Sequence, residues 1–167
     1  MISESMGRTL EKGYLMPRRV NIYKTYKISF DVYLTKVPHA SWDSIIFLTA
    51  TNKDCCDNGD RVIGLWIPPN SDPTLLHLHI AGAMNDNPNR IFNTETTYPF
   101  NQWIHINFEQ IKNGGDYFFI ATINGKEERR EKNSQPQEFK NVLVYTSEPW
   151  RTAASGRIRK INIISTP

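Results

Sequence analysis

The stretch from Trp103 to Lys126, WIHINFEQIKNGGDYFFIATINGK, constrains the fold more than any other part of the chain. Ile104, Ile106 and Phe108 alternate with Trp103, His105, Asn107 and Glu109, the period of two that a strand with one buried face requires. Asn113-Gly114-Gly115-Asp116 then turns the chain into a second run, Tyr117 to Ile123, rich in aromatic and β-branched residues. That run ends in Asn124-Gly125. Both residues accept positive φ at little cost, so the pair predicts a type I′ hairpin turn. Two hairpins in succession make a meander, and a meander predicts an antiparallel β protein.

The rest of the chain repeats the theme. Residues 1–13 carry no period and read as an arm or linker, leaving 14–167 as a single domain. Tyr26, Ile28, Phe30, Val32 and Leu34 alternate with Lys27, Ser29, Asp31 and Tyr33, until Val37-Pro38-His39-Ala40 breaks the pattern. Ser44 to Ala50, SIIFLTA, is apolar on both faces, which predicts a strand covered from both sides. Arg61 to Ile67, RVIGLWI, is a further strand, closed by Pro68-Pro69 and a polar turn through Pro73. Leu76, Leu78 and Ile80 then alternate with Leu75, His77, His79 and Ala81. The Asn-, Pro- and Thr-rich segment from Met84 to Asn101 reads as a rim loop, with a short strand near Thr94–Tyr98, and 131–138 as a polar turn. Val142, Val144 and Thr146 mark another strand, and Gly156 opens a last one holding Ile158, Ile161, Ile163 and Ile164. No segment has a helical period. Ten or more short strands between turns predict an all-β, two-sheet antiparallel jelly-roll sandwich.

Composition narrows the function. A chain of 167 residues can bury roughly 68–70% of its unfolded surface, enough for one core without metals or disulfides. A net charge of +3 is too small to indicate nucleic acid. Clusters at Arg18-Arg19, Arg129-Arg130-Lys132 and Arg157-Arg159-Lys160 still leave a polyanion as a partner alongside the plainer reading of solvated strand faces. No run approaches the ~18 apolar residues of a transmembrane helix, so membrane insertion is not expected. The first residues lack the apolar core of a signal peptide, which leaves an intracellular protein or a domain of a longer secreted precursor.

In order, YKISFDVYL, SIIFLTA, GDR before VIGLWI, LLHLHI, WIHINFEQ, YFFIATINGK, FKNVLVYTSEPW and GRIRKINI resemble laminin-G-like domains of the concanavalin A-like jelly-roll superfamily. The match runs from Tyr14 to Thr166. Its nearest echoes are W-x-x-I-x-I at Trp103–Phe108, I-N-G at Ile123–Gly125 and G-x-I-x-x-I at Gly156–Ile161. The resemblance implies two antiparallel sheets and an extracellular or cell-surface module that binds a glycan or a protein, in some relatives with calcium on the rim. Other relatives are glycoside hydrolases, but no strand here carries a Glu-x-Asp-x-x-Glu arrangement, and Glu127, Glu128 and Glu131 lie past a turn among Arg and Lys. There is no Gly-rich phosphate loop and no nucleophile elbow. No catalytic residue is therefore assigned, and non-enzymatic recognition is the expected function. Its alternatives are a carbohydrate-active enzyme with an unfamiliar carboxylate or histidine–metal site, and a structural module of a larger matrix protein. The sequence does not give the oligomeric state.

Several residues are candidates for a site. Asp54, Asp57 and Asp60 crowd one loop, and Asp86 from the next rim loop could complete an oxygen cage for calcium, although Asp and Asn are also ordinary turn formers. No cofactor is otherwise required. Cys55 and Cys56 are the only cysteines and, if oxidised within the chain, can pair only with each other. Such a vicinal disulfide would set a rigid apolar knob in a polar loop. His77-x-His79, with His105 from a neighbouring strand, would suit zinc only if register put all three on one face. Trp66 and Trp103 read as packing residues, whereas Trp42 and Trp150 read as loop aromatics. The candidate ligand contacts are Cys55, Cys56, Asn85, Asn87, Tyr98, Trp150 and Arg151.

Overall fold

Asn124 and Gly125 have φ of 49° and 79°, so the expected type I′ turn forms and β9 (Asp116–Ile123) folds back onto β10 (Lys126–Asn133). The computed structural model describes residues 6–35, 41–69 and 74–167. With β8 (Trp103–Asn113), these strands form the predicted meander at one side of a six-stranded sheet, continued by β3 (Thr25–Leu34), β13 (Gly156–Thr166) and β1 (Arg8–Thr9). The second sheet runs in the order β2 (Val20–Ile22), β11 (Phe139–Tyr145), β4 (Asp43–Thr49), β5 (Ile63–Ile67), β6 (His79–Met84) and β7 (Asn87–Asn93). Every pairing is antiparallel except that of β12 (Thr152–Ala153), which lies parallel to β4. The architecture is the expected two-sheet antiparallel jelly roll.

Register explains the core. Ile28 faces Phe108, which faces Ala121, and Phe30 faces Ile106, which faces Ile123, so one side of the first sheet is continuously apolar. Ile45, Ile46, Leu48, Ile63, Leu65, Ile67, Ile80 and Val144 answer from the second sheet. In β13 the buried Ile158 and the half-buried Ile161 and Ile163 that pack against the core break the period of two. An irregularity between Arg159 and Asn162, with Lys160 at a φ of 52°, restores their phase.

Three segments depart from the sequence reading. The rim loop expected over Met84–Asn101 contains β7, reached through a tight turn at Asn85 and Asp86 with φ of 54° and 59°; beyond it Tyr98 makes a single bridge to Leu76. The polar turn expected from Glu131 begins only after Asn133, where β10 ends. Residues 8–10 of the expected arm belong to the sandwich: Arg8 and Thr9 pair with Ile158 and Arg157, and Leu10 is buried in the core. The breaks expected at Val37–Ala40 and through Pro73 fall on 36–40 and 70–73, outside the described residues.

Candidate functional site

The outer face of the second sheet is not polar. Cross-strand pairing sets Tyr145, Phe47, Gly64, Ala81 and Ile91 in one row, and Ser44, Trp66, His79 and Asn93 in the next. Phe47, Trp66, Ala81, Leu143 and Tyr145 form a second apolar cluster, separate from the core, with Trp42 packed against it. Trp66 and Trp150 meet the Phe47 ring edge-on at 5.8 and 5.6 Å, and Trp42 meets the His79 ring at 4.5 Å. This explains why SIIFLTA is apolar on both faces: aromatic rings cover Phe47 from outside. Burying one such ring is worth roughly 1.5–3 kcal/mol.

A polar network lies among these rings. Trp66 Nε1 donates to Glu148 Oε1 at 2.9 Å, and Arg151 donates to the same oxygen at 2.7 Å. Arg151 also donates to both carboxylate oxygens of Asp54, at 2.5 and 3.1 Å. Arg61 gives 3.1 and 2.9 Å hydrogen bonds to the Asp54 carboxylate and carbonyl, and its third nitrogen donates to Asn89 Oδ1 at 2.8 Å. Glu148 is fully buried; Arg151 and the indole N–H hold its Oε1, while its Oε2 is buried without a hydrogen-bond partner among the described residues. Of this network Arg61, Asn89 and Arg151, with Asp54 and Glu148 behind them, border an open pocket of about 310 Å³ whose apolar walls are Trp42, Trp66, Ile91 and Cys55. That volume is at the lower end of the roughly 300–1,000 Å³ typical of small-ligand sites.

The loop that brings Cys55 to the pocket is held by its own polar groups. Asp60 is fully buried and accepts from Thr51 Oγ1 at 2.5 Å and from the Asp57 N–H at 2.9 Å. The Thr49 hydroxyl accepts from the Asn52 N–H at 3.0 Å, and Tyr145 Oη donates to Asn52 Oδ1 at 2.8 Å. Cys55 and Cys56 are joined to each other as a vicinal pair.

Electrostatics fix the protonation states. Burial alone would raise the Asp54 carboxyl, but the hydrogen bonds and charges of Arg151 and Arg61 outweigh it and hold the group below the usual carboxylate range. Burial pushes the His79 imidazole below its usual value; Arg61 and Arg151 add to this, and the Asn93 hydrogen bond opposes it. His79 is therefore neutral near pH 7. Its Nδ1 sits 2.7 Å from Asn93 Oδ1, which requires the hydrogen on Nδ1 and leaves Nε2 as the ring's acceptor.

No protein-family model and no curated protein matches this chain. Solved structures do match. A heptameric SAP-like pentraxin from Limulus polyphemus is similar over 98% of this chain and 77% of its own, at a TM-score of 0.60 and 13% identity. Carbohydrate binding module CBM66 from Bacillus subtilis covers 96% of both chains at a TM-score of 0.51 and 11% identity. An alginate lyase from Pseudomonas aeruginosa covers 89% of this chain and 69% of its own, at a TM-score of 0.57 and 11% identity. The fold is a concanavalin A-like jelly roll. At such identities the likeness shows the fold alone and does not single out the laminin-G branch.

On this jelly roll the predicted site residues separate. Cys55 and Arg151 border the pocket, Cys56 adjoins it, and Trp150 stands beside it at 37% exposure, packed on Phe47 and Tyr145. Tyr98 does not belong to it: the side chain is buried and its hydroxyl donates to Glu128 at 2.5 Å, tying the two sheets together. Asn85 is also a cross-link between sheets, bonded to Asn133, Lys132 and Ser134, while Asn87 caps its own turn at the Asn89 N–H. The four aspartates are not gathered for calcium. Asp54 is taken by two arginines, Asp60 caps its loop, and Asp86 lies in the β6–β7 turn. Among the described residues, no three of His, Cys, Asp and Glu are placed to hold a metal. The histidines are likewise apart: His79 is in the pocket wall, His77 contacts the Thr94 carbonyl at 3.3 Å, and His105 pairs with Asp31 at 2.8 Å on the other sheet.

The sequence reading missed Arg61, Asn89 and Ile91 and took Trp66 for packing alone. The one local signal for them was the doubly apolar SIIFLTA strand, whose outer face needed a cover. A larger depression of about 540 Å³ on the first sheet includes Tyr33 and Trp103, but the Arg159 guanidinium already occupies the Trp103 face at 3.9 Å.

Proposed function

We propose that this protein is a non-enzymatic recognition module, extracellular or at a cell surface, and that it binds a glycan in the pocket bordered by Trp42, Trp66, His79 and Cys55. The observation that carries this reading is the chain of hydrogen bonds from Trp66 through Glu148, Arg151, Asp54 and Arg61 to Asn89. It fixes polar groups beside aromatic and apolar walls, the combination that a sugar with hydroxyl edges and C–H faces requires. A carbohydrate-binding module among structures of the same fold is consistent with it. Catalysis fits less well. A general-acid carboxyl needs a raised pKa, and Asp54 is shifted the other way. Glu148 is buried beneath its partners.

A carbohydrate-active enzyme is the second reading, favoured by one observation: a neutral His79 beside two arginines in an open pocket, on a fold shared with an alginate lyase. Binding and turnover are tested together by titrating an oligosaccharide panel and recovering the ligands. Recognition predicts that bound oligosaccharides return intact and that Trp42→Ala, measured where the variant is fully folded, weakens binding by up to about tenfold, since an aromatic contact is worth roughly 0.5–1.5 kcal/mol. Cleaved products would establish the second reading. A wholly silent panel would remove both.

A further inference from the structure

We propose that the ligand of this pocket is an uncharged saccharide, a refinement that rests on the glycan-binding reading above. The charges of the site close on themselves. Arg61 and Arg151 are the cations and Asp54 and Glu148 the anions, joined by ion pairs of 2.5–3.1 Å. The neutral His79 adds nothing. Among the described residues that line the pocket, an incoming carboxylate or sulfate would find no unpaired cation. It would have to compete with Asp54 for the guanidinium groups, or be desolvated uncompensated, which is costly.

The donor count agrees. Each guanidinium has five N–H groups, and Arg61 and Arg151 each spend three on protein acceptors. Two remain on each. These are suited to neutral hydroxyl and ring oxygens, which accept hydrogen bonds without bringing charge. The apolar walls complete the match. Trp42 packs edge-on to His79, Ile91 is 45% exposed, and Cys55 lines the pocket from a loop whose Asp60 and Asn52 are bonded to Thr51, Thr49 and Tyr145. Such a surface covers the C–H face of a sugar ring. Of the basic clusters flagged for a polyanion, Arg157-Arg159-Lys160 and Arg129-Arg130-Lys132 lie on strands of the first sheet, and neither they nor Arg18-Arg19 line this pocket.

The test is a calorimetric titration of the full chain with neutral gluco-, galacto-, manno- and fructo-oligosaccharides, against oligouronates and sulfated oligosaccharides of matched length. Each is measured at about 50 mM and about 500 mM salt, a range over which charge-driven binding collapses. The expected result is a neutral ligand that binds at least tenfold tighter than its acidic counterparts, with affinity unchanged by salt. Acidic ligands binding as well or better, or affinity falling steeply with salt, would overturn the inference while leaving glycan recognition intact. Silence of all oligosaccharides, acidic and neutral, would overturn glycan recognition itself and this inference with it.

Discussion

The indole of Trp66 lies across the bare α-carbon of Gly64, two residues earlier on the same face of β5. A β-carbon at Gly64 would fall 2.7 Å from Cζ3 and 2.8 Å from Cζ2 of the ring. The glycine is thus required for space. It lets the ring lie close against the sheet, where Nε1 reaches Glu148 and the pocket begins.

Gly64→Ala should therefore force the ring away from β5. Overpacking of this kind costs about 1–3 kcal/mol, and for a domain of this size each kcal/mol lowers Tm by roughly 2–4 °C. Urea denaturation should show the loss, and glycan affinity should fall with it. A variant with wild-type stability and affinity would show that the ring position is not set by Gly64.

His79 makes the site acid-sensitive. Its folded pKa is depressed, so below about pH 6.5 the unfolded chain binds more protons than the folded one, and stability falls with pH. His79→Gln removes this contribution. Denaturation at about pH 7.5 and about pH 5 should show a larger acid-induced loss in the wild type than in the variant. Equal losses would mean that His79 protonates as easily folded as unfolded.

How much of this could be read in the sequence depends on what each strand faces. The β8–β9 hairpin and the Asn124-Gly125 turn were legible because Ile104, Ile106 and Phe108 each bury one face and the turn residues have few alternatives. β7 and β10 were misread, as loop and in part as turn, because they are edges. An edge tolerates Pro88 and the charges of KEERREK, so apolar alternation is weak there. The Asn85-Asp86 turn carries no glycine to announce it. The pocket was partly visible through its loop members, Cys55 and Arg151. The rest was hidden in register and topology, since Asp54 and Arg61 of the β4–β5 connection meet Arg151 from beyond β11 and Asn89 from β7. A slip of one residue would also have turned Trp66 and His79 inward.

Tyr98 illustrates the difference between a rim residue and a site residue. Tyr98→Phe removes the donor to Glu128, which is left with a poorly satisfied carboxylate between the sheets. The expected cost is about 1–3 kcal/mol of stability. Affinity for any glycan that binds the pocket should stay within error. A loss of affinity at unchanged stability would return Tyr98 to the site.

Cys55 and Cys56 separate a folding role from a binding role. A bond between neighbouring residues closes almost no loop, so the entropic stabilisation of an ordinary disulfide, which grows with loop length, is nearly absent here. The loop has other anchors: Asp60 to Thr51 and Asp57, Asn52 to Thr49 and Tyr145, and the Asp54 carbonyl to Arg61. Replacing both residues, Cys55→Ser with Cys56→Ser, should accordingly change stability by less than about 1 kcal/mol, in the range of ordinary surface substitutions. What the double variant does lose is apolar surface in the pocket wall, and glycan affinity should drop by several-fold to tenfold. Calorimetry of the variant beside thermal denaturation reads both quantities. A large fall in Tm with affinity preserved would make the pair a clamp for the loop. Small change in stability with weakened binding would place the sulfur pair in contact with the sugar.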